Sequence, residues 1–198
     1  MVSSDARTVR RSNLPLYLVL AICVVPLLAA YALYFFWTPA RFVNYGELVQ
    51  PLPLAGVSLR QNGGTIFRFG DLKGRWVFLS VDSSRCDEHC RRKLYYMRQI
   101  RLTQGADRER IERLWLISDG IQPPRNLSEE FRGTIEVALA SPDFLSRLPA
   151  PRAVEDHIYV IDPFGNLMMR YPRDLDPNRM KKDVARLLRL SSGWIQAR

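Results

Sequence analysis

The chain has 198 residues, 47% hydrophobic and 25% charged, and a formal net charge of +9. That mixture suits a globular protein and excludes a disordered or collagen-like chain. The positive balance invites a nucleic-acid reading, yet there is no Gly-rich phosphate loop, zinc-finger spacing or RNP-type aromatic motif. A basic surface beside an anionic membrane or an acidic protein partner is the simpler source of the charge, and a solvated surface with no partner explains it equally well.

Residues 1–13 carry Arg7, Arg10 and Arg11, and no charge follows from Leu14 to Trp37. About 20 apolar residues suffice to span a bilayer as a helix, so residues 14–37 are expected to cross once. Pro26 is tolerated there because local backbone adjustment satisfies the freed carbonyl. Ala30-Tyr31-Ala32 resembles a signal-peptide cleavage site, but the apolar run continues past it and is longer than a signal core. An uncleaved anchor is the reading we carry forward. Only Arg41 follows closely, so the positive-inside rule puts residues 1–13 in the cytoplasm and the rest outside. In a bacterium this is a single-pass inner-membrane protein with a periplasmic globular part. Tyr31, Tyr34 and Trp37 are placed as an interfacial aromatic belt. Cys23 falls within the span, as a small apolar filler.

Residues 38–56 are rich in proline and polar side chains and read as a linker, leaving 57–198 as the globular domain. Val57–Leu59 and Thr65–Phe69 form a predicted hairpin about Gln61-Asn62-Gly63-Gly64, whose Asn-Gly and Gly-Gly pairs supply positive φ. Trp76–Val81 is an apolar run expected to be a buried strand, and a helix follows through Leu94, Met97 and Leu102 to Gly105. A short helix over 107–112, a second apolar strand over 114–118, a short helix at 128–131, a strand at 135–139 and a helical turn over 142–148 come next. His157–Ile161 and Asn166–Tyr171 flank Asp162-Pro163-Phe164-Gly165 as an antiparallel hairpin. Asp176-Pro177 starts a last helix, with Met180, Val184, Leu187 and Leu188 on one face. This order of strands and helices, about 140 residues long, makes an α/β domain with a thioredoxin-like fold, preceded by one transmembrane helix.

Cys86 and Cys90 stand where the first apolar run gives way to its helix. Four residues apart on a helix, two side chains share a face. Two thiolates so placed can hold a soft metal ion or act as a dithiol/disulfide pair. A structural staple is the bland alternative, but so small a loop gives little stabilisation by chain entropy. A helix N-terminus lowers thiol pKa, and Arg85, Arg91 and Arg92 add to that tendency. His89 lies between the cysteines and reads as a solvent-facing side chain.

Gly74-Arg75-Trp76-Val77-Phe78-Leu79, the Cys86/Cys90 pair and Asp156-His157 before a Tyr-Val-Ile-Asp-Pro-x-Gly hairpin resemble the Sco/SenC proteins. The likeness runs over roughly residues 57 to 190, in the order of elements more than in identity. It implies a membrane-anchored, thioredoxin-like factor that assists assembly of the copper centre of cytochrome c oxidase. It further implies copper ligation by Cys86, Cys90 and His157, and an oxidase subunit or another assembly factor as partner. Asp156 reads as a solvated loop carboxylate, with orientation of the imidazole as the alternative. Asp87 stands where the family usually has proline. Three activities stay open: copper transfer, thiol–disulfide exchange in which Cys86 attacks and Cys90 resolves, and non-catalytic docking.

Overall fold

The structure, a computed structural model, describes residues 13–36, 44–61, 63–139 and 142–193. Most of the expected cytoplasmic segment, Trp37 of the expected anchor, Asn62 of the first hairpin turn and residues 38–43 of the expected linker lie outside the described residues. The chain divides into two compact units, 1–43 and 44–198. The first holds α1, Leu14–Phe36, 23 residues with Pro26 inside it. At 1.5 Å per residue it is about 34 Å long, enough for a bilayer core of about 30 Å. Its stretch Tyr17–Phe35 has a mean hydropathy of 2.5 and contains the exposed Cys23.

The second unit is built on a six-stranded mixed sheet in the order β1-β8-β7-β4-β5-β6. The strands are β1 (Glu47–Pro53), β4 (Trp76–Asp82), β5 (Ile111–Ile117), β6 (Ile135–Ala138), β7 (Ile158–Ile161) and β8 (Asn166–Tyr171). β4, β5 and β6 run parallel, and β7 turns the sheet antiparallel on the other side of β4. The short hairpin β2 (Ser58–Arg60) and β3 (Ile66–Arg68) stands apart from the sheet. Helices α2 (Glu88–Leu102), α3 (Arg125–Glu130) and α4 (Pro177–Leu190) complete the unit. Two expected helical stretches, 107–112 and 142–148, are 3₁₀ turns over Gly105–Arg110 and Pro142–Arg147.

β4 is buried along its whole length, as a central strand covered on both faces must be. Strand alternation sends Trp76 and Phe78 to one face, with Trp115, Ile158 and Val160, against α2 and α4. Val77, Leu79 and Val81 go to the other, with Leu114, Tyr159, Leu59, Phe69 and Phe144. Asp176 caps α4 by accepting from the Asn178 and Arg179 amides, and Pro177 occupies the first turn, where its missing N–H costs nothing.

The expected linker is corrected over Glu47–Pro53, which is an edge strand paired with β8. Pro51 and Pro53 disguised it: proline is confined to edges and bulges, and the register here shifts between Leu48 and Leu52. Asp183, buried in α4, accepts from the Tyr45 and Gly46 amides at 2.7 and 2.8 Å and so ties the start of this segment to the last helix. A Cβ on Gly46 would lie 2.5 Å from Met169 Sδ and 2.9 Å from Tyr171 Cε1, so a larger residue there requires these buried side chains to shift. Replacing Asp183 by alanine leaves two main-chain donors without their charged acceptor. We expect Asp183→Ala to lower the unfolding free energy by about 2–4 kcal/mol, read by urea denaturation of the full chain in detergent.

Candidate functional site

The sequence from Asp82 to Cys90 makes a tight passage from strand to helix. Ser84 donates from its amide and its hydroxyl to Asp119 Oδ2, at 3.0 and 2.8 Å, which ties the passage to the loop after β5. Burial works against the Asp119 carboxylate, but the Ser84 and Ile121 hydrogen bonds prevail and hold its pKa below the usual range. The Cys86 amide donates to Ser83 O, and Cys86 has φ 41°, the one non-glycine residue in the left-handed region among those described. A non-glycine residue persists there only when its surroundings determine it. Asp87 follows as the helix cap, accepting from the Cys90 amide at 2.9 Å. A carboxylate at this position suits a helix start, which accounts locally for aspartate in place of proline.

Cys86 and Cys90 are joined as a disulfide, with their Cα atoms 5.1 Å apart. Both are buried, 3% and 1% exposed, instead of standing free at a helix tip. They are nonetheless reachable, because both line a cleft of about 390 Å³ together with Asp82, Arg85, Asp87, His89, Glu155 and Arg173. Cys90 sits in the first turn of α2, where the unpaired amides of the helix start favour a thiolate over a thiol.

Beneath the cleft lies a buried ion pair that the sequence reading missed. Lys93 Nζ stands 2.8 Å from Asp82 Oδ2, and both side chains are less than a tenth exposed. Lys93 also donates to Val81 O and Glu155 O, and Ser80 donates to Asp82 Oδ2 at 2.6 Å. Burial pushes the Asp82 carboxyl upward and the Lys93 ammonium downward, each opposed by the charge of the other. Asp82 lines the cleft that both cysteines line, so the pair forms part of its floor. Each member leaves a signal in the sequence, though neither names its partner: an acid ending an otherwise apolar strand, and a lysine at the core-facing spacing of Cys90, Leu94 and Met97.

His157 is not brought to the cysteines. It directly follows the turn Val154–Asp156 and precedes β7, with extended backbone. Alternation therefore gives it the side of Tyr159, against whose ring it lies edge-on at 5.8 Å, while Ile158 and Val160 share the cysteines' side of the sheet. Its Nδ1 is 2.8 Å from Tyr171 O, and it lines a different cleft with Tyr45, Glu47, Arg152 and Arg170. Asp156, read from sequence as a solvated loop carboxylate, pairs with Arg173 and does not orient the imidazole. His89, read from sequence as solvent-facing, lines the cysteine cleft instead, and its Nε2 is buried without a hydrogen-bond partner. Burial depresses its pKa, assisted by Lys93 and Arg173 and opposed by Asp87 and the Glu155 carbonyl. Among the described residues no three His, Cys, Asp or Glu side chains are arranged to hold a metal ion.

Residues 76–191 match the family described as the transmembrane-like, thioredoxin-like, C-terminal domain, and the chain belongs to that family. No curated protein matches its sequence. Its fold is that of the Sco proteins. A SCO1/SenC family lipoprotein of Bacillus anthracis is 17% identical with a TM-score of 0.52, covering 71% of this chain and 99% of its own. Apo Sco1 of Thermus thermophilus gives 17% and 0.53 over 76% and 98%. Yeast Sco1 with copper bound gives 14% and 0.53 over 72% and 92%. The expected thioredoxin-like fold is thereby borne out, and so is the likeness to the Sco/SenC proteins, as a likeness of fold.

The Asp82–Lys93 pair makes a prediction about the floor of the site. Lys93→Met alone should cost about 3–5 kcal/mol in chemical denaturation, because it strands a buried carboxylate. Adding Asp82→Asn should recover most of the loss, and additive losses would show that the two side chains are not coupled.

Proposed function

We propose that this protein is a membrane-anchored assembly factor for a copper-containing respiratory oxidase, and that reduced Cys86 and Cys90 hold Cu(I) as cargo for transfer to an oxidase subunit or a second assembly factor. The observation that carries this reading is the pair itself: two cysteines meeting at the start of α2, on a cleft open to an incoming partner. Thiolates select Cu(I), so the donor chemistry suits that ion. The likeness in fold to Sco proteins, one of them described with copper bound, supports the same cargo. Anchoring by α1 is supported by its length and lack of charge, and the arginines before it support a cytoplasmic N-terminus and a globular part in the periplasm of a bacterium.

A second reading is favoured by the disulfide. Cys86 and Cys90 are bonded to one another, and no ready group of three donors surrounds them among the described residues. In that reading the reduced pair passes two electrons and two protons to a partner disulfide and itself closes. Reduction of the cysteines of a copper-receiving subunit would serve the same assembly. Non-catalytic docking has no observation of this kind behind it.

Anaerobic Cu(I) titration of the reduced full chain in detergent separates the two. Copper carriage predicts one ion per chain, lost in both Cys86→Ser and Cys90→Ser. It also predicts an apparent affinity that rises with pH, since binding displaces thiol protons. No uptake of Cu(I), combined with reduction of a disulfide substrate, would leave the oxidoreductase.

A further inference from the structure

We infer that His89, and not His157, supplies the nitrogen ligand when reduced Cys86 and Cys90 hold Cu(I); the inference rests on the copper reading above. Two observations lead to it. His89 lines the cleft that both cysteines line, whereas His157 lines another. His89 Nε2 is buried with no hydrogen-bond partner, a costly state for a ring nitrogen and one that a metal bond relieves.

The local chain makes the grouping economical. Cys86, His89 and Cys90 span one turn at the start of α2, so all three donors come from a segment already held by the Asp87 cap and the Ser84–Asp119 bonds. His157 by contrast faces the other side of the sheet and lines the other cleft.

In the oxidised protein the two sulfurs bind each other, and no group of three donors is assembled. Reduction by an external dithiol breaks the S–S bond. Two electrons and two protons enter the protein, and the reductant closes to its own disulfide. Cu(I) then displaces the two thiol protons and is held by two thiolates and the imidazole, with no change in its oxidation state. The third ligand is thus assembled only when the disulfide is open, which makes copper uptake conditional on reduction.

The test uses the full chain in detergent micelles, reduced anaerobically, freed of reductant and given Cu(I) in competition with bicinchoninate. We expect His89→Gln to weaken binding about tenfold or more, and His157→Gln to leave it unchanged. X-ray absorption of the wild-type complex should show two sulfur scatterers and one nitrogen, and the nitrogen should be missing from His89→Gln. Equal affinity in wild type and His89→Gln, or a wild-type spectrum with sulfur alone, overturns the inference while leaving copper carriage intact. Loss of affinity in His157→Gln but not His89→Gln overturns it in favour of the other histidine. Failure of the wild type to take up Cu(I) removes the copper reading and this inference with it. The wild-type spectrum decides the ligand set even if a variant fails to fold.

Discussion

The site depends on the salt bridge between Asp82 and Lys93. Asp82 is the last residue of a strand buried on both faces, and Lys93 projects from the core face of the helix that follows. Their pairing, with the Lys93 bonds to Val81 O and Glu155 O, ties strand end, helix and the turn before β7 together at one point. The cysteine segment is the short stretch of chain between these two anchored residues. A buried pair of this kind contributes little net stability, and its value lies in fixing geometry, since either partner alone is costly. Here the geometry fixed is that of Cys86, held in a left-handed conformation that an unconstrained cysteine avoids.

That constraint links packing to chemistry. The cysteines belong to the apolar cluster between sheet and helices, which shields them, yet they border a cleft that gives a partner access. Shielding favours a stable closed pair. The helix start and the cationic side chains of Arg85 and Arg173 on the cleft favour thiolates once the pair opens. Both copper carriage and electron exchange require those two states, which is why the fold alone does not choose between them.

Much of this was legible in the chain. The apolar runs that became β4 and β5, the Asp-Pro-x-Gly hairpin and the Pro177 helix carry strong local signals, and the structure follows them. The cysteine pair was legible because its spacing and its place after an apolar strand coincide. β1 was hidden by its prolines, whose meaning at a sheet edge depends on knowing where the edge lies. The role of Lys93 was hidden because its partner lies eleven residues away on another element, and only the tertiary fold brings them together. His157 shows a finer limit. Its nearness to β7 is plain from sequence, but one residue of strand parity decides which face it takes, and that is set by the register with β8.

The account as a whole rests on a disulfide that forms and opens within the folded protein. The direct measurement is differential alkylation of the full-length protein in detergent, read by mass spectrometry, before and after mild dithiol treatment at neutral pH without denaturant. The account predicts that Cys86 and Cys90 are linked to each other in the oxidised protein while Cys23 stays free. Both should become modified after reduction while the far-ultraviolet circular dichroism is unchanged. A Cys86–Cys90 bond that opens only when the protein unfolds, or a pairing of either cysteine elsewhere, would contradict it.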